Sequence, residues 1–314
     1  MSVCVLCGSA ATSPVMHGSD RLYHTTTRQF DVVRCGGCGL LRLDPQPSPE
    51  ELRRYYPENY WFAPDTSTAG KLEEAWRRMV LCDHVRFVSQ ALANSKARGP
   101  LLDVGCGGGL FLGMMHERGH HVIGLDFSRD AAAMAWREQQ APAVVAEFAS
   151  APLRAGSFAA ITMFHVMEHL YDPARYVAEA RELLAPDGRL IVQVPNAASW
   201  QCRLLGRAWN GMDVPRHLFD FRDSDLEKLL ARGGFEVVRR KYFSLRDNPA
   251  GLASSIAPSL DPMARRVRRV PESGGARMGK DLVYLAMVLA SVPLTAIEAA
   301  FRAGSTVMVE ARAR

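Results

Sequence analysis

A three-layer, doubly wound α/β domain on a mainly parallel sheet of seven strands is the fold class predicted by the sequence, with a small cysteine-rich module before it and a helical insertion near its end. Three observations predict it. From residue 99 onward, short apolar bursts alternate with helix-like stretches over short connections, the pattern of a parallel sheet covered on both faces. Two Cys-x2-Cys pairs fall within the first 38 residues, ahead of that pattern. The 314 residues are 48% hydrophobic and 23% charged, a globular balance that excludes global disorder and, at roughly 150 residues per domain, suggests two domains.

The elements follow in chain order. Cys4, Cys7, Cys35 and Cys38 supply four thiolates at a spacing that matches a closed, tetrahedral structural zinc site, and Gly8 and Gly39 follow the second cysteine of each pair. Neither pair lies in a strand-to-helix turn, where a redox pair would sit. The total of seven cysteines is odd, which argues for thiolates in a reducing cytosol over a secreted disulfide framework. The opening MSVCVLCGSA lacks the basic and long apolar regions of a signal peptide, so export is not expected. A zinc ribbon is therefore expected over 1–45.

In LDPQPSPEE, Ser48, Pro49 and Glu51 provide an N-cap, a first-turn proline and a capping-box acid, which predicts a helix from Pro49 that ends near Pro57. A second helix is expected from Lys71 to Leu92, with Val80, Val85 and Val88 near helical spacing. Together they form a helical linker or lid over 46–95. The strand candidates are 101–105, 121–126, 143–147, 159–165, 189–195, 235–243 and 306–313, and helices fit at 110–118, 129–139, 173–185 and 223–232. They define a core over 96–245, an insertion over 246–303 and a last strand over 304–314.

The stretch DVGCGGGLFL is an apolar strand ending in Asp103 and Val104, then Gly105, Gly107 and Gly109, then a helix. Glycines at such a turn let a ligand approach the backbone at a helix N-terminus. A dinucleotide fingerprint would need glycine where Leu110 stands, so pyrophosphate binding is disfavoured. Asp126 closes the second strand, where its carboxylate can take both hydroxyls of a ribose; a helix cap is the competing reading, although Ser128 can do that work.

HVMEHL places His165, Glu168 and His169 at the end of the fourth strand, on one face if the turn is helical. Three roles compete: His169 oriented by Glu168 as a general base, the trio as ligands of a weakly held divalent ion, or a buried pair that shapes a pocket. The loop after the fifth strand carries Asn196, Arg203, Arg216 and His217, with Arg203 and Arg216 as candidate anion anchors and His217 at an edge or site position.

Residues 239–280 hold ten Lys/Arg against three acids, so the chain's basic excess is local to this stretch. The uncharged run 282–297 that follows spans about 24 Å as a helix, short of the roughly 30 Å bilayer core, and Pro293 is expected to interrupt it. That argues against a membrane span and leaves an apolar cap, a membrane-surface contact or a dimer contact through 265–301.

Asp103-x-Gly105-x-Gly107-x-Gly109, Asp126, GSFAAITMFHVMEHLYDP and VPN together resemble class I S-adenosylmethionine-dependent methyltransferases, of the subgroup with an EHL-x-DP element that includes polyprenyl-phenol O-methyltransferases. The cysteine module with DPQPSPEELRRYYPENYW is similar to sugar C-methyltransferases with an N-terminal zinc module. The resemblance implies a Rossmann-like fold whose antiparallel last strand lies between the fifth and sixth. It implies that Asp103 and the turn Gly105, Cys106, Gly107, Gly109 hold the methionine part of S-adenosyl-L-methionine, and Asp126 with Phe127 the ribose side. Glu147 and the Phe148 amide would take the adenine edge, and His165 would floor the sulfonium. Tyr55, Tyr56, Tyr60 and Trp61 are lid candidates, since aromatic faces favour a sulfonium; Tyr55 and Tyr56, with Asn196, Arg203 and Arg216, are also the substrate candidates. His169, Glu168 and His217 are the catalytic candidates.

The expected function is methyl transfer to oxygen or carbon of a small or lipid-linked acceptor, of sugar or prenylated-phenol type. Two alternatives stand beside it: a zinc-ribbon RNA methyltransferase and a non-catalytic scaffold that binds S-adenosylmethionine. Residues 1–60 carry six Arg and six acids, and this neutral module disfavours a nucleic-acid partner. The expected location is the cytoplasm, with the inner membrane face as a further site.

Overall fold

The computed structural model describes residues 3–56 and 68–314. In chain order the first elements are β1 (Thr12–Gly18), β2 (Phe30–Cys35), β3 (Leu41–Leu43), α1 (Pro49–Arg54), α2 (Thr68–Ala93), β4 (Leu101–Val104), α3 (Leu110–His116), β5 (Val122–Asp126), α4 (Arg129–Gln139), β6 (Ala143–Val145) and β7 (Phe158–Phe164). There follow α5 (Pro173–Leu183), β8 (Leu184–Pro195), α6 (Trp200–Leu205), β9 (Phe219–Asp220), α7 (Asp223–Arg232), β10 (Phe235–Lys241), α8 (Asn248–Ile256), α9 (Pro262–Val267), α10 (Gly274–Ala300) and β11 (Thr306–Ala313). They divide into a sheet unit (Trp61–Val194, Glu227–Ser244, Met308–Arg314) and a cysteine unit (Met1–Tyr60, Pro195–Leu226, Leu245–Val307).

The sheet unit holds the seven-stranded sheet in the order β10-β11-β8-β7-β4-β5-β6. β4 pairs in parallel with β5 and β7, β5 with β6, and β7 with β8, while β11 runs antiparallel to β10 and lies between it and β8. This is the expected Rossmann-like topology. Because the inner strands are covered on both faces, they are apolar almost throughout, and Leu101, Leu102, Ile161, Met163, Leu190 and Val192 are fully or almost fully buried. Leu81, Val85 and Val88 of α2 pack into the core formed with Leu110, Leu112 and Met115 of α3. The helix starts are capped as their sequences require: Ser128 Oγ accepts from the Ala131 N–H at 3.3 Å, and Asp172 Oδ1 from the Arg175 N–H at 3.0 Å with Pro173 in the first turn.

The cysteine unit contains a second, antiparallel sheet in the order β1-β2-β3-β9. Its fourth strand comes from residues 219–220, far beyond the first 45 residues. The capping box at α1 forms in both directions, Glu51 N–H to Ser48 Oγ at 3.2 Å and Ser48 N–H to Glu51 Oε2 at 2.9 Å.

Helix α10 departs from the sequence expectation. It runs for 27 residues, through Pro293 without a break, and is long and apolar enough by length and composition to cross a membrane. Proline removes one helical donor. Around it the Ser291 hydroxyl donates to the Met287 carbonyl at 2.7 Å and the Thr295 hydroxyl to the Ser291 carbonyl at 2.9 Å.

The basic stretch 239–280 is largely consumed by internal contacts. Arg239 pairs with Glu310 at 2.8 Å and lies 3.6 Å from the centre of the Phe87 ring, Arg240 pairs with Glu227 at 2.6 Å, and Lys241 with Asp83 at 2.7 Å. In the cysteine unit Arg265 is buried between Glu272 and Asp281, Lys280 pairs with Glu272 at 2.6 Å, and Arg268 donates to the Leu22 carbonyl at 2.7 Å.

Candidate functional site

Among the described residues of the sheet unit a candidate centre lies at the carboxyl ends of β4, β5 and β7, the edge where doubly wound sheets take ligands. Asp103 lies in β4 and is buried there, with Thr162 Oγ1 of the neighbouring β7 donating to its Oδ1 at 2.6 Å. Gly105, Gly107 and Gly109 all have left-handed φ (+73°, +51° and +75°), which explains why glycine recurs at every second position. A side chain at Gly105 would come within 2.9 Å of Val166 Cγ2. At Gly107 nothing lies within 4 Å, so that position leaves an open face where a ligand can approach the backbone.

Asp126 ends β5 with both oxygens engaged. Oδ2 accepts from the Gly107 N–H at 2.9 Å and Oδ1 from the Ser128 N–H at 2.8 Å. Burial pushes this carboxyl above its ordinary range, against the pull of those backbone donors. The helix cap is Ser128, and Asp126 is free of that duty. Cys106 is buried inside the turn, and burial, then Asp103 and Asp126, push its thiol up, so it is an inert wall residue. Phe127, directly after Asp126, is 67% exposed. Glu147 is exposed and leads a short 3-10 turn over Phe148–Ser150, in which the Phe148 ring is buried against Tyr176 at 5.3 Å.

The HVMEHL segment differs from expectation in its backbone. It forms a single 3-10 turn over Met167–His169, and His165 precedes it in a left-handed conformation (φ +56°) that a non-glycine residue rarely adopts. The three side chains therefore do not share one α-helical face. His165 Nδ1 lies 3.1 Å from Glu168 Oε1, and its Nε2 lies 2.9 Å from Gln193 Nε2 on β8. With the Gln193 amide donating to Nε2, the ring proton sits on Nδ1 and donates to the buried Glu168. Strain at a ligand edge of this kind is held in place by such surroundings. His169 is partly exposed at the end of the turn.

Thr162 and Gln193 were not foreseen as part of this centre. Each is a polar residue inside an otherwise apolar buried strand, and that anomaly is the signal that finds them.

The remaining candidates belong to the cysteine unit, and several need correction. Arg216, expected as an anion anchor, is completely buried: it pairs with Asp20 at 2.8 Å and Asp213 at 2.6 Å, and its guanidinium carbon stands 4.5 Å from the centre of the Tyr23 ring. A guanidinium held by two carboxylates has no capacity left for a substrate anion. His217, expected at an edge, is buried, and its Nδ1–H donates to the Gly211 carbonyl at 2.9 Å. Asn196 is buried too, donating to the Gly304 carbonyl at 3.0 Å and accepting from the Ala198 N–H at 3.0 Å, so it shapes a turn. Tyr55 is buried edge-on to Phe30 at 6.0 Å and lends its carbonyl to Arg216, a packing residue. Tyr56 is half-buried, Arg203 is exposed on α6, and Tyr60 and Trp61 lie outside the described residues.

The four cysteines of the N-terminal module converge. Their sulfur atoms all lie within 4.8 Å of one another, with Cys4–Cys38 at 3.6 Å and Cys7–Cys35 at 3.4 Å, and none forms a disulfide. A tetrahedron of sulfurs 2.3 Å from a zinc ion has edges of about 3.8 Å, so the donor set fits that ion. Gly8 and Gly39 take left-handed φ, and their N–H groups close the knuckles onto the Cys4 and Cys35 carbonyls at 2.8 and 2.9 Å.

The glycine turn, the two buried aspartates at adjacent strand ends and the seven-stranded order define a class I S-adenosylmethionine-dependent methyltransferase. Residues 73–240, just over half of the chain, match the methyltransferase-domain family, and the chain belongs to it. A probable S-adenosylmethionine-dependent methyltransferase of Mycolicibacterium smegmatis is 33% identical over 186 residues, 57% of this chain and 61% of that protein. The chain thus spans less than two thirds of that relative's length. A ubiquinone biosynthesis O-methyltransferase of Aromatoleum aromaticum is 30% identical over 175 residues, 51% of this chain and 73% of that one. The solved structure of geranyl diphosphate C-methyltransferase from Streptomyces coelicolor has a TM-score of 0.51, covering 86% of this chain and 100% of that chain at 16% identity, a likeness of fold alone.

Proposed function

We propose that the chain methylates a small or lipid-linked acceptor, of sugar or prenylated-phenol type, at oxygen or carbon, with His169 as general base. The observation that carries this reading is the tie between the open glycine turn at Gly107 and Asp126, with the histidine turn after β7 at the strand end next to the glycine turn. The residues fit S-adenosyl-L-methionine: the turn leaves space at Gly107 and the buried Asp126 offers remaining lone pairs to ribose hydroxyls. When bound, that cofactor supplies an electrophilic methyl group on a sulfonium.

Asp103 and the backbone of Gly105, Cys106, Gly107 and Gly109 would hold the methionine part, Asp126 and Phe127 the nucleoside, and Glu147 with the Phe148 amide the adenine edge. His165, held between Glu168 and Gln193, would form the floor under the sulfonium. His169 would accept the proton that leaves the acceptor as the new bond to carbon forms, a transfer otherwise driven by positioning. The relative named for O-methylation in ubiquinone biosynthesis supports this acceptor class. Cys4, Cys7, Cys35 and Cys38 would hold one structural Zn²⁺ with no open position.

The decisive experiment incubates the protein and methyl-labelled cofactor with metabolite and lipid extracts of cells lacking it, and identifies the product by mass spectrometry. Label in a small or lipid-linked product is the expected result. Label only in RNA would favour the RNA-methyltransferase reading, and cofactor binding without label in any fraction would favour a scaffold.

A further inference from the structure

Helix α10 is amphipathic in the inverted sense. Its protein-facing side carries polar anchors around the buried Val288: the Tyr284 hydroxyl lies 2.8 Å from Ser254 Oγ on α8, Thr295 is buried, and Glu298 accepts from Gln201 of α6 at 2.8 Å. Its outer side is apolar, with Met278, Leu282, Leu289, Leu294, Ile297 and Phe301 all exposed, and no charged residue occurs from Leu282 to Ile297. A helix at a water surface has the reverse arrangement. From Met278 to Phe301 this face is about 35 Å long.

The ends of the face are cationic. Arg277 is exposed just before it, in loose contact with Asp281 at 3.9 Å, and Arg302 is exposed just after it. At the C-terminal end Trp200 stacks on Phe301 at 5.4 Å, and α6 adds exposed Arg203 and Leu204, the latter 82% exposed. We propose that α10 is an in-plane docking helix that lays its apolar face on a bilayer containing anionic phospholipid, with Arg277, Arg302 and Arg203 among the headgroups. Aromatic residues and arginines at the ends of an apolar face are the composition that the interfacial layer selects.

Charge decides between lipid and a second copy. Antiparallel pairing of two α10 helices would set Arg277 of one copy against Arg302 of the other, and parallel pairing would set each arginine against itself. Anionic headgroups neutralise all of them. A span is disfavoured because the polar side of α10 is bonded to α8 and α6. This inference stands apart from the identity of the methyl acceptor.

The test is flotation of the full chain with vesicles of phosphatidylcholine alone or mixed with phosphatidylglycerol. The wild type is expected to float with the mixed vesicles and about tenfold less with the neutral ones. Leu282→Glu/Ile297→Glu, both at exposed positions, should lower the bound fraction by about tenfold while the melting temperature and monomer elution stay unchanged; Arg277→Gln/Arg302→Gln should erase the preference for anionic lipid. The proposal is overturned if folded wild type binds neither vesicle, or if the double glutamate variant binds as well as wild type. It is equally overturned if the wild type is a dimer that this variant splits, or if the chain resists alkaline extraction from cell membranes as a spanning protein does.

Discussion

The Gly107 N–H donates to Asp126 Oδ2 across 2.9 Å, so the turn after β4 and the end of β5 form one rigid corner. Each of the two residues needs the other: the left-handed glycine aims its N–H at the carboxylate, and the carboxylate compensates its burial with that donor.

Gly107→Ala and Gly105→Ala should therefore part company. At Gly107 the added methyl meets no protein atom, and only the left-handed backbone opposes it, about 1–2 kcal/mol. The variant should fold and lose S-adenosylmethionine affinity by about tenfold or more in calorimetric titration, because the methyl fills the ligand's approach. Gly105→Ala also meets Val166 at 2.9 Å and should lose more stability. Equal cofactor affinity in Gly107→Ala and wild type would remove the turn from the binding site.

Cofactor binding should also weaken toward acid earlier than an ordinary aspartate would dictate. Burial raises the Asp126 carboxyl, so its charged, hydroxyl-accepting form is lost at a higher pH as pH falls. For stability the sign is opposite: a raised carboxyl contributes most below its unfolded value and less as pH rises through the folded one. A titration of affinity against pH in wild type and Asp126→Asn checks this, since the variant should bind weakly with no acid-range step.

His169→Ala should lower kcat by about 10²–10⁴ and leave cofactor affinity within about threefold. Glu168→Gln keeps the shape of the turn but weakens the hold on His165. Its expected signature is a smaller fall in kcat with a shifted pH–rate profile, which marks a positioning role. Unchanged turnover in His169→Ala would pass the base to another group.

In the cysteine unit, Arg216→Met should destabilise by about 3–5 kcal/mol, because it leaves the buried Asp20 without its counter-ion. Burial raises the Asp20 carboxyl, but the Arg216 hydrogen bonds and charge outweigh it and hold the group below its ordinary 3.8. A depressed carboxyl contributes stability above its unfolded value, lost as pH falls through the folded one. Acid unfolding of this unit should thus steepen below about pH 4, and Asp20→Asn should flatten that arm in pH-dependent melting curves.

Elemental analysis of protein prepared without chelator should give about one zinc per chain, and chelation should lower the melting temperature without a direct effect on the sheet unit's cofactor affinity. Cys35→Ser should reproduce the chelated state.

Much of this architecture was legible before the structure, and the exceptions share a cause. Ser48, Ser128, the strands and the glycine turn are local signals, and each stands where its neighbours in sequence put it. Arg216 was misread because its partner Asp20 lies 196 residues away, and a buried ion pair looks in sequence like two surface charges. The two-residue β9 has no periodicity to detect; it exists because Leu41 and Arg42 offer it a free edge. His165 was placed correctly at the end of its strand, but its left-handed backbone depends on Glu168 and Gln193 and not on its own propensity. Pro293 usually signals a helix end, whereas here tertiary packing against α8 overrides it.

The chain passes between its two units five times, and this threading fixes the order in which a ribosome can deliver them. Leu41 pairs with Asp220, so the cysteine-bearing sheet waits for its last strand until the chain has been made through residue 220. The larger sheet waits longer still, because β11, inserted between β8 and β10, follows both of them in the chain. Neither half can therefore mature early and serve as a template for the other. Nascent chains halted before residue 306 should hold a gap beside β8 and depend on chaperones, a liability that a simple end-to-end arrangement of domains avoids.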